Sequence, residues 1–312
     1  MLDPISSFWI LVWTSLTSYG LYLLITGDQR TSVFYVYGKS LNVNKRKGLF
    51  WNLFLVPKKF FTHFYLVSLC VFVPSLLLAI TYYYPSSAST KIRATASSLK
   101  GLSKDFFTFE AAQDLDQIVA LVFTLILMIV QCTRRLYECL FISVYSDSSK
   151  INIIHYVFGH TFYLFAALST LCPIIFSQTS NKFSMNDLID NLLNKQRAIL
   201  FTLFIYASHH QHKCHLILAN LRKDKTGRVI SQQHYVPTAG LFQYVTCPHF
   251  LLETILYFII IVIQNFKILY WNLIFLLVLS TQTINALTEH DWYKRKYKDY
   301  PKERRAIFPR LL

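Results

Sequence analysis

The stretch HHQHKCHLILANLRKDKTGRVISQQHYVPTAGLFQYVTCPHFLLE, residues 209–253, is the longest mostly polar segment between the apolar runs of this 312-residue chain. Five of the ten histidines lie between its start and His249, and it holds a basic cluster, LRKDKTGR, and a Pro-Thr-Ala-Gly turn. Polar and charged groups are costly to place in hydrocarbon, so they usually serve a ligand or partner there. We predict that this segment binds a water-soluble ligand and that the rest of the chain holds it against a lipid-filled cavity.

Long apolar runs on both sides of this segment indicate an all-α membrane protein in a single polytopic domain. The chain is 54% hydrophobic and 16% aromatic, and it contains only 8 glycines. A transmembrane helix needs about 20 apolar residues. The runs predict seven transmembrane helices, at 4–25, 61–84, 115–143, 151–176, 198–218, 250–264 and 268–287. The fifth and sixth depart from a regular apolar span, because the fifth becomes histidine-rich after Tyr206 and the sixth is short.

The distribution of basic residues predicts the orientation. With the N-terminus in the lumen, 23 of the 31 Lys and Arg residues fall on the cytosolic side. Basic residues concentrate in cytosolic loops. We therefore expect a lumenal N-terminus, a cytosolic C-terminus and a cytosolic segment 209–253. The net charge of +15 borders apolar runs and accompanies no DNA-reading motif, so nucleic acid is not an expected partner. The Ser/Thr/Ala-rich stretch 86–102 predicts a mobile lumenal loop.

The end of the third run, QCTRRLYECLFISVYS at 131–146, places charges at the edge of a helix. Residues three or four apart are neighbours on a helix, so Arg134 and Arg135 can both reach Glu138. Ionisable groups at the edge of a span usually face a cavity or partner. The alternative is an interfacial ion pair whose long side chains extend to the headgroups. The acid favours the functional interpretation, because a carboxylate gains nothing among anionic headgroups.

Three further patterns bear on chemistry. In VPKKFFTHFYLVS, residues 56–68, His63 and Tyr65 either belong to an aromatic interfacial belt, which the sequence alone favours, or polarise a buried carbonyl. The cluster from His209 to His215 contains Cys214 but no acidic partner and no HExxH arrangement, so no metal site is predicted. No two glycines have GxG spacing, which excludes a Rossmann nucleotide site.

Four blocks, in order, resemble the steroid 5α-reductase family, and within it the polyprenol (polyprenal) reductase branch. The blocks are PKKFFTHFYLVS; QCTRRLYECLFISVYS with the following HYVFGHTFY; HKCHLILANLRK through YVPTAGLFQYVTCPHFLLE; and NALTEHDWYKRKYKDYPKERRAIFP. The resemblance implies seven transmembrane helices in the endoplasmic reticulum membrane. It divides the chain into 1–110, with the first two helices and the lumenal loop, and 111–312, a 3-oxo-5-alpha-steroid 4-dehydrogenase-like catalytic region.

The resemblance also implies a cytosolic NADPH site among the later helices. The cofactor-binding residues implied are Arg135, Glu138, His215, Asn220, Arg222, Tyr235, Gly240, Phe242, His249, Glu253, His290 and Tyr293. Basic residues among them would meet the phosphates. Steroid reductases carry an acid in the second span and a tyrosine early in the third-span block. This chain has neither, since Gln131 or Cys132 falls near the tyrosine position. The catalytic candidates are therefore Tyr65 and Tyr137, followed by His63.

Chemistry narrows the expected substrate to an aldehyde. Hydride adds readily to a carbon–carbon double bond when a conjugated carbonyl accepts the charge as an enolate, and a hydrogen-bond donor stabilises that charge. An allylic alcohol has no such acceptor. The resemblance thus implies NADPH-dependent reduction of the α-isoprene double bond of polyprenal to dolichal, a net conversion of polyprenol to dolichol for protein N-glycosylation.

Other functions stay open at this point. A steroid 5α-reductase or a trans-2-enoyl-CoA reductase shares the hydride chemistry, and a membrane methyltransferase also has a basic cofactor pocket near its C-terminal helices. A lipid transporter or assembly factor would show polar residues along several spans, and spans one, four and seven show few. The expected partners are a polyisoprenoid lipid and the surrounding membrane lipid, and the sequence indicates no obligate protein partner.

Overall fold

A computed structural model describes residues 3–27, 54–83, 87–104, 109–146, 149–177, 185–192 and 194–311. A helix lies at each predicted span: α1 Pro4–Thr26, α2 Phe61–Tyr83, α4 Leu115–Tyr137, α5 Ile153–Ile175, α7 Lys195–Asn220, α8 Pro248–Ile263 and α9 Leu269–Lys296. Between them lie two further helices, α3 Ser87–Lys104 and α6 Met185–Leu192, and two short strands, β1 Leu55–Pro57 and β2 Lys150–Asn152. The basic residues predicted to be cytosolic between 30 and 47 lie outside the described residues.

Five of these helices are long and apolar enough to cross a membrane: α1, α2, α4, α5 and α9. Helices α7 and α8 do not meet this criterion, each for a separate reason. The second half of α7 is polar, from Ser208 to Lys213, and α8 has only 16 residues. The protein is therefore a multi-pass, all-α membrane protein. The count of seven spans and the orientation of the termini remain predictions.

The central helix is α4, followed by one π-helical turn, Glu138–Ile142. Its buried residues lie on all sides of the helix, as expected for an element enclosed by protein. Asp114 caps its start by accepting a hydrogen bond from the Gln117 backbone N–H at 2.8 Å. The π turn widens the last turn of this helix, a feature common at functional sites.

A two-stranded antiparallel sheet places the starts of α2 and α5 side by side. Leu55 pairs with Asn152 and Pro57 pairs with Lys150. The backbone N–H of Lys58 also donates to the Ser149 carbonyl at 3.0 Å. Three-residue strands give almost no sequence signal, and these two were not predicted. The sheet therefore fixes the starts of α2 and α5 relative to each other.

The loop predicted over 86–102 is wrong for most of its length, because α3 spans Ser87–Lys104. Alanine, lysine and leucine within it favour a helix. Ala96 is buried and Ile92 packs against the core, so one face of α3 is held by the bundle. The Arg93 guanidinium Nε donates to the Tyr82 carbonyl at 2.9 Å, which fastens the helix to the end of α2.

The C-terminal region packs against the segment that precedes α8. Helix α9 continues to Lys296, nine residues beyond the predicted span end at 287. The backbone N–H groups of Thr246 and Cys247 then donate to the Arg305 and Ala306 carbonyls at 2.8 and 3.0 Å. Buried Arg304 donates to the Pro237 carbonyl at 3.0 Å. The C-terminal region therefore closes over the polar segment that precedes α8.

Candidate functional site

A cavity of about 700 Å³ lies between the helices and joins a polar region to an apolar one. Its polar wall is formed by the end of α4, by the end of α7 with the segment that follows it, and by the last turns of α9. The residues of this wall include Arg135, His215, Arg222, His234, Tyr235 and Tyr293. Its apolar wall comes from α1, α2, α5 and the middle of α9; it includes Leu11, Leu16, Phe64, Phe158, Phe162 and Leu277. Segment 209–253 thus contributes to the polar wall of the cavity, and its predicted binding of a water-soluble ligand stays a prediction.

Glu138 is fully buried beneath the polar wall and is the centre of a charged cluster. Arg134 forms an ion pair with one oxygen of Glu138 and Arg135 with the other, which confirms the contact predicted from their spacing. Nδ1 of His212 lies 2.8 Å from one oxygen, and Nδ1 of His215 lies 2.7 Å from the other. One carboxylate therefore joins α4 to α7.

The Glu138 cluster carries an excess of positive charge. Two guanidinium groups face one carboxylate, and a buried charge requires a partner to offset its desolvation. Arg135 and His215 also line the cavity, whereas Glu138 lies behind them. Arg135 and His215 are therefore the members of the cluster that an anionic ligand in the cavity can contact, and Glu253 of α8, which lines the same cavity, offsets part of the positive charge.

A second network positions Glu253 of α8, which lines the cavity. Its Oε2 accepts hydrogen bonds from Gln211 Nε2 at 2.5 Å and from Gln131 Nε2 at 3.1 Å. Gln211 also donates to the His249 carbonyl at 3.1 Å, and Arg134 donates to Gln131 Oε1 at 2.9 Å. Sequence reasoning missed the structural role of both glutamines. Their buried amides in apolar helices are the signal that could have found them.

Arg222 joins two loops at the edge of the cavity. Its guanidinium donates to the Val144 carbonyl at 2.6 Å and to the Gln233 carbonyl at 3.1 Å, and it lies 2.6 Å from Nδ1 of His234. Burial lowers the pKa of this guanidinium from its ordinary value. Arginine nevertheless stays charged, because that ordinary value is far above neutral pH. A charged group with donors in a fixed fork is suited to bind phosphate.

Tyrosine rings on α9 hold the segment around Tyr235. The Tyr293 hydroxyl donates to the Tyr235 carbonyl at 3.3 Å, and the Tyr297 hydroxyl donates to the His234 carbonyl. The Tyr293 ring stacks on Tyr300 with centroids 5.6 Å apart. These contacts place two flat rings, Tyr235 and Tyr293, on the cavity wall.

The remaining predicted cofactor residues fall into two groups. Phe242 and His249 line the cavity. Three others do not: Asn220 is exposed at the end of α7, His290 lies 2.6 Å from the Thr246 hydroxyl, and Gly240 forms a turn. Gly240 has a φ of +57°, which disfavours other residues, and a Cβ there would lie 3.3 Å from Ile217. His290 and Gly240 thus support the cavity wall without facing the cavity.

The three catalytic candidates lie in different places. Tyr65 lines the cavity, and its hydroxyl oxygen accepts a hydrogen bond from Arg135 Nε at 3.1 Å. His63 lies 2.8 Å from the Tyr156 hydroxyl and outside the cavity lining. Tyr137 is 52% exposed, and its ring packs against Phe141 on the outer side of the helix. Among these three candidates, Tyr65 is therefore the one that lies at the polar wall.

The predicted histidine cluster is divided between two sides of α7. His212 and His215 face Glu138, whereas His209 is exposed. Across the described ranges, no group of three or more His, Cys, Asp or Glu side chains is arranged to hold a metal ion. His212 and His215 act as hydrogen-bonding groups beside Glu138.

Comparison with known proteins gives consistent matches. The profile of the family described as "3-oxo-5-alpha-steroid 4-dehydrogenase" matches residues 153–312. A polyprenal reductase of Drosophila melanogaster is 40% identical over 190 residues, which cover 60% of this chain and 56% of that protein. Polyprenal reductases of Mus musculus and Homo sapiens are 32% and 33% identical over 88% of this chain and 84% of their own lengths.

Proposed function

This chain belongs to the 3-oxo-5-alpha-steroid 4-dehydrogenase (steroid 5α-reductase) family, and from that premise we propose that it is a polyprenal reductase. It reduces the α-isoprene double bond of polyprenal to give dolichal, with NADPH as the cofactor. The observation that carries this proposal is the cavity itself, which joins a polar wall with Arg135 and Arg222 to an apolar wall and is lined by Tyr65, whose hydroxyl contacts Arg135. A substrate with one reactive polar head and one long apolar tail fits a cavity that is divided in this way.

The cavity also reaches residues that face lipid. Leu11 of α1 is 66% exposed and Ile154 of α5 is 57% exposed, and both line the cavity. In a membrane-spanning bundle, exposed apolar side chains on α1 and α5 contact hydrocarbon. A polyisoprenoid therefore enters sideways from the membrane, and its tail stays in an apolar environment while its head reaches the polar wall.

The polar wall fits a nicotinamide dinucleotide, and NADPH is the form proposed from the family to which the chain belongs. Arg135 and Arg222 supply fixed charges for phosphate groups, and His234, whose Nδ1 lies 2.6 Å from the Arg222 guanidinium, can donate from its other ring nitrogen. Tyr235 and Tyr293 supply flat rings for the bases. When bound, NADPH supplies the hydride.

Tyr65 carries the proposed catalytic role. Reduction of a conjugated double bond places negative charge on the aldehyde oxygen, and a donor at that oxygen stabilises the enolate. The Tyr65 oxygen accepts from Arg135, so its own proton can be donated to the substrate. A proton taken from water then adds to the α carbon and completes the reduction. Polyprenol offers no carbonyl to Tyr65, so net conversion to dolichol needs separate oxidation and reduction at the alcohol carbon. Dolichol synthesis in the endoplasmic reticulum is the proposed setting.

The purified protein is expected to oxidise NADPH when given polyprenal and not when given polyprenol or testosterone. Absorbance of NADPH in detergent solution measures each reaction separately. Turnover of pure polyprenol without a dehydrogenase would contradict the enolate argument. Turnover of testosterone would favour a steroid 5α-reductase, and the absence of turnover with all three would reject the proposed function.

Arg222→Gln is expected to raise the Kd for NADPH about tenfold to a hundredfold, because it removes a charge-assisted contact with a phosphate. The matched control is Arg228→Gln, since Arg228 is an exposed arginine in the same loop and does not line the cavity. Quenching of tryptophan fluorescence measures binding, and the thermal midpoint checks the fold. Equal Kd values for the two variants, at equal stability, would remove Arg222 from the cofactor site.

A further inference from the structure

Gly159 of α5 and Phe64 of α2 meet at the cavity wall with no room for a side chain on the glycine. A Cβ built on Gly159 would lie 2.7 Å from Cζ of the Phe64 ring and 2.8 and 2.9 Å from its two Cε atoms. Such separations are well below van der Waals contact. The bare backbone of Gly159 therefore forms a recess that the tip of the buried Phe64 ring occupies, and both residues line the cavity.

Neighbouring rings restrict where Phe64 can move. Phe61 and His160 make edge-on contacts with its ring, with centroids 5.0 and 5.1 Å away, and Tyr156 lies at 5.6 Å. Close-packed interiors resist displacement by even one methyl group. The cavity is the open side of the ring. A methyl group at position 159 would therefore push the Phe64 ring into the cavity.

We propose that Gly159 sets the width of the substrate channel so that it admits a methyl-branched polyisoprenoid. Each isoprene unit carries a methyl branch, so a prenyl chain needs a wider channel than a linear chain of equal carbon number. The recess keeps the Phe64 ring out of that width. This inference rests on the proposed function and deepens it, because it assigns the admission of a methyl-branched chain to one contact between α2 and α5.

The test compares two aldehydes of equal carbon number: citral, which is a branched prenal, and trans-2-decenal, which is linear. Gly159→Ala is expected to raise the KM for citral about tenfold, the scale of one methyl group in an apolar pocket. The KM of decenal is expected to stay within about twofold of the wild-type value, because a linear chain has no methyl branch to accommodate. If turnover of decenal is slow, its Ki as a competitive inhibitor serves instead. The Kd for NADPH is also expected to stay within about twofold, since the cofactor does not depend on the channel width. Gly101→Ala is the control, because a Cβ at Gly101 of α3 would meet nothing within 4 Å.

Two further variants separate channel width from folding. Phe64→Trp enlarges the ring without changing any residue of α5, and we expect the same selective loss of citral. Gly159→Ala combined with Phe64→Leu is expected to recover the KM of citral, because the smaller side chain leaves room for the new methyl group. This recovery is not expected if Gly159→Ala merely damages α5.

Each outcome has a distinct meaning. An equal loss for both aldehydes, or an unchanged KM for citral in Gly159→Ala and Phe64→Trp, would overturn the assignment of Gly159 while leaving the reductase function intact. A wild-type protein that oxidises NADPH with neither aldehyde nor polyprenal would overturn the proposed function and this inference with it.

Discussion

Glu138→Gln is expected to lower the free energy of unfolding by about 3–5 kcal/mol, because it breaks a buried ion pair on one side only. Arg134 and Arg135 would stay in place without a counter-charge, and His212 and His215 would lose a shared acceptor. Unfolding in a denaturing detergent series measures the difference. Saturating NADPH is expected to restore part of the lost stability, since an anionic ligand that binds the folded state stabilises it.

The matched control for that prediction is Asp291→Asn. Asp291 forms an ion pair with Arg295, as Glu138 does with Arg134, but the two side chains are 58% and 66% exposed. Exposed pairs contribute about 0–1 kcal/mol. If Glu138→Gln and Asp291→Asn change the stability equally, the Glu138 cluster does not hold α4 and α7 together.

Tyr65→Phe is expected to lower kcat/KM for polyprenal by about a hundredfold to a thousandfold, the effect of losing one donor to a developing oxyanion. The ring and its contact with the Arg135 guanidinium, whose centre lies 5.1 Å from the ring centroid, would remain. We therefore expect the loss in kcat and no more than about a twofold change in the Kd for NADPH, since a phenyl ring keeps the packing. NADPH oxidation and fluorescence quenching give the two values.

Tyr137→Phe is the control for Tyr65→Phe, because Tyr137 is exposed on the outer side of the helix. Its kcat/KM is expected to equal that of the wild type. A fully active Tyr65→Phe variant would contradict the role of the Tyr65 hydroxyl, and an inactive Tyr137→Phe variant would move that role to the other tyrosine.

Helix geometry explains which site residues the sequence could predict. Arg134, Arg135 and Glu138 are three or four residues apart on one helix, so their contact follows from local spacing alone. The same geometry separates Tyr137 from Arg135, since residues two apart on a helix point about 200° away from each other. Once Arg135 faces the cavity, Tyr137 must face outward. His63 and Tyr65 are separated in the same way on α2.

The contacts that the sequence did not reveal depend on how distant helices meet. Gln211 and Gln131 join α7 to α4 across 80 residues, and Gly159 meets Phe64 across 95 residues of chain. Neither pairing has a local periodicity. The apolar runs did predict the positions of the long helices, because burial in lipid imposes a pattern on each segment separately. The extension of α9 was missed because its last turns are charged and bind protein groups instead of lipid.

The most direct test of the central claim follows a deuterium label from NADPH labelled at the transferred position into the product formed from polyprenal. Mass spectrometry and NMR of the product locate the label. We expect dolichal with deuterium on the β carbon, and none of this product from the Tyr65→Phe variant above a small residual rate. Deuterium on the aldehyde carbon, with polyprenol as the product, would contradict reduction of the double bond and the role assigned to this cavity.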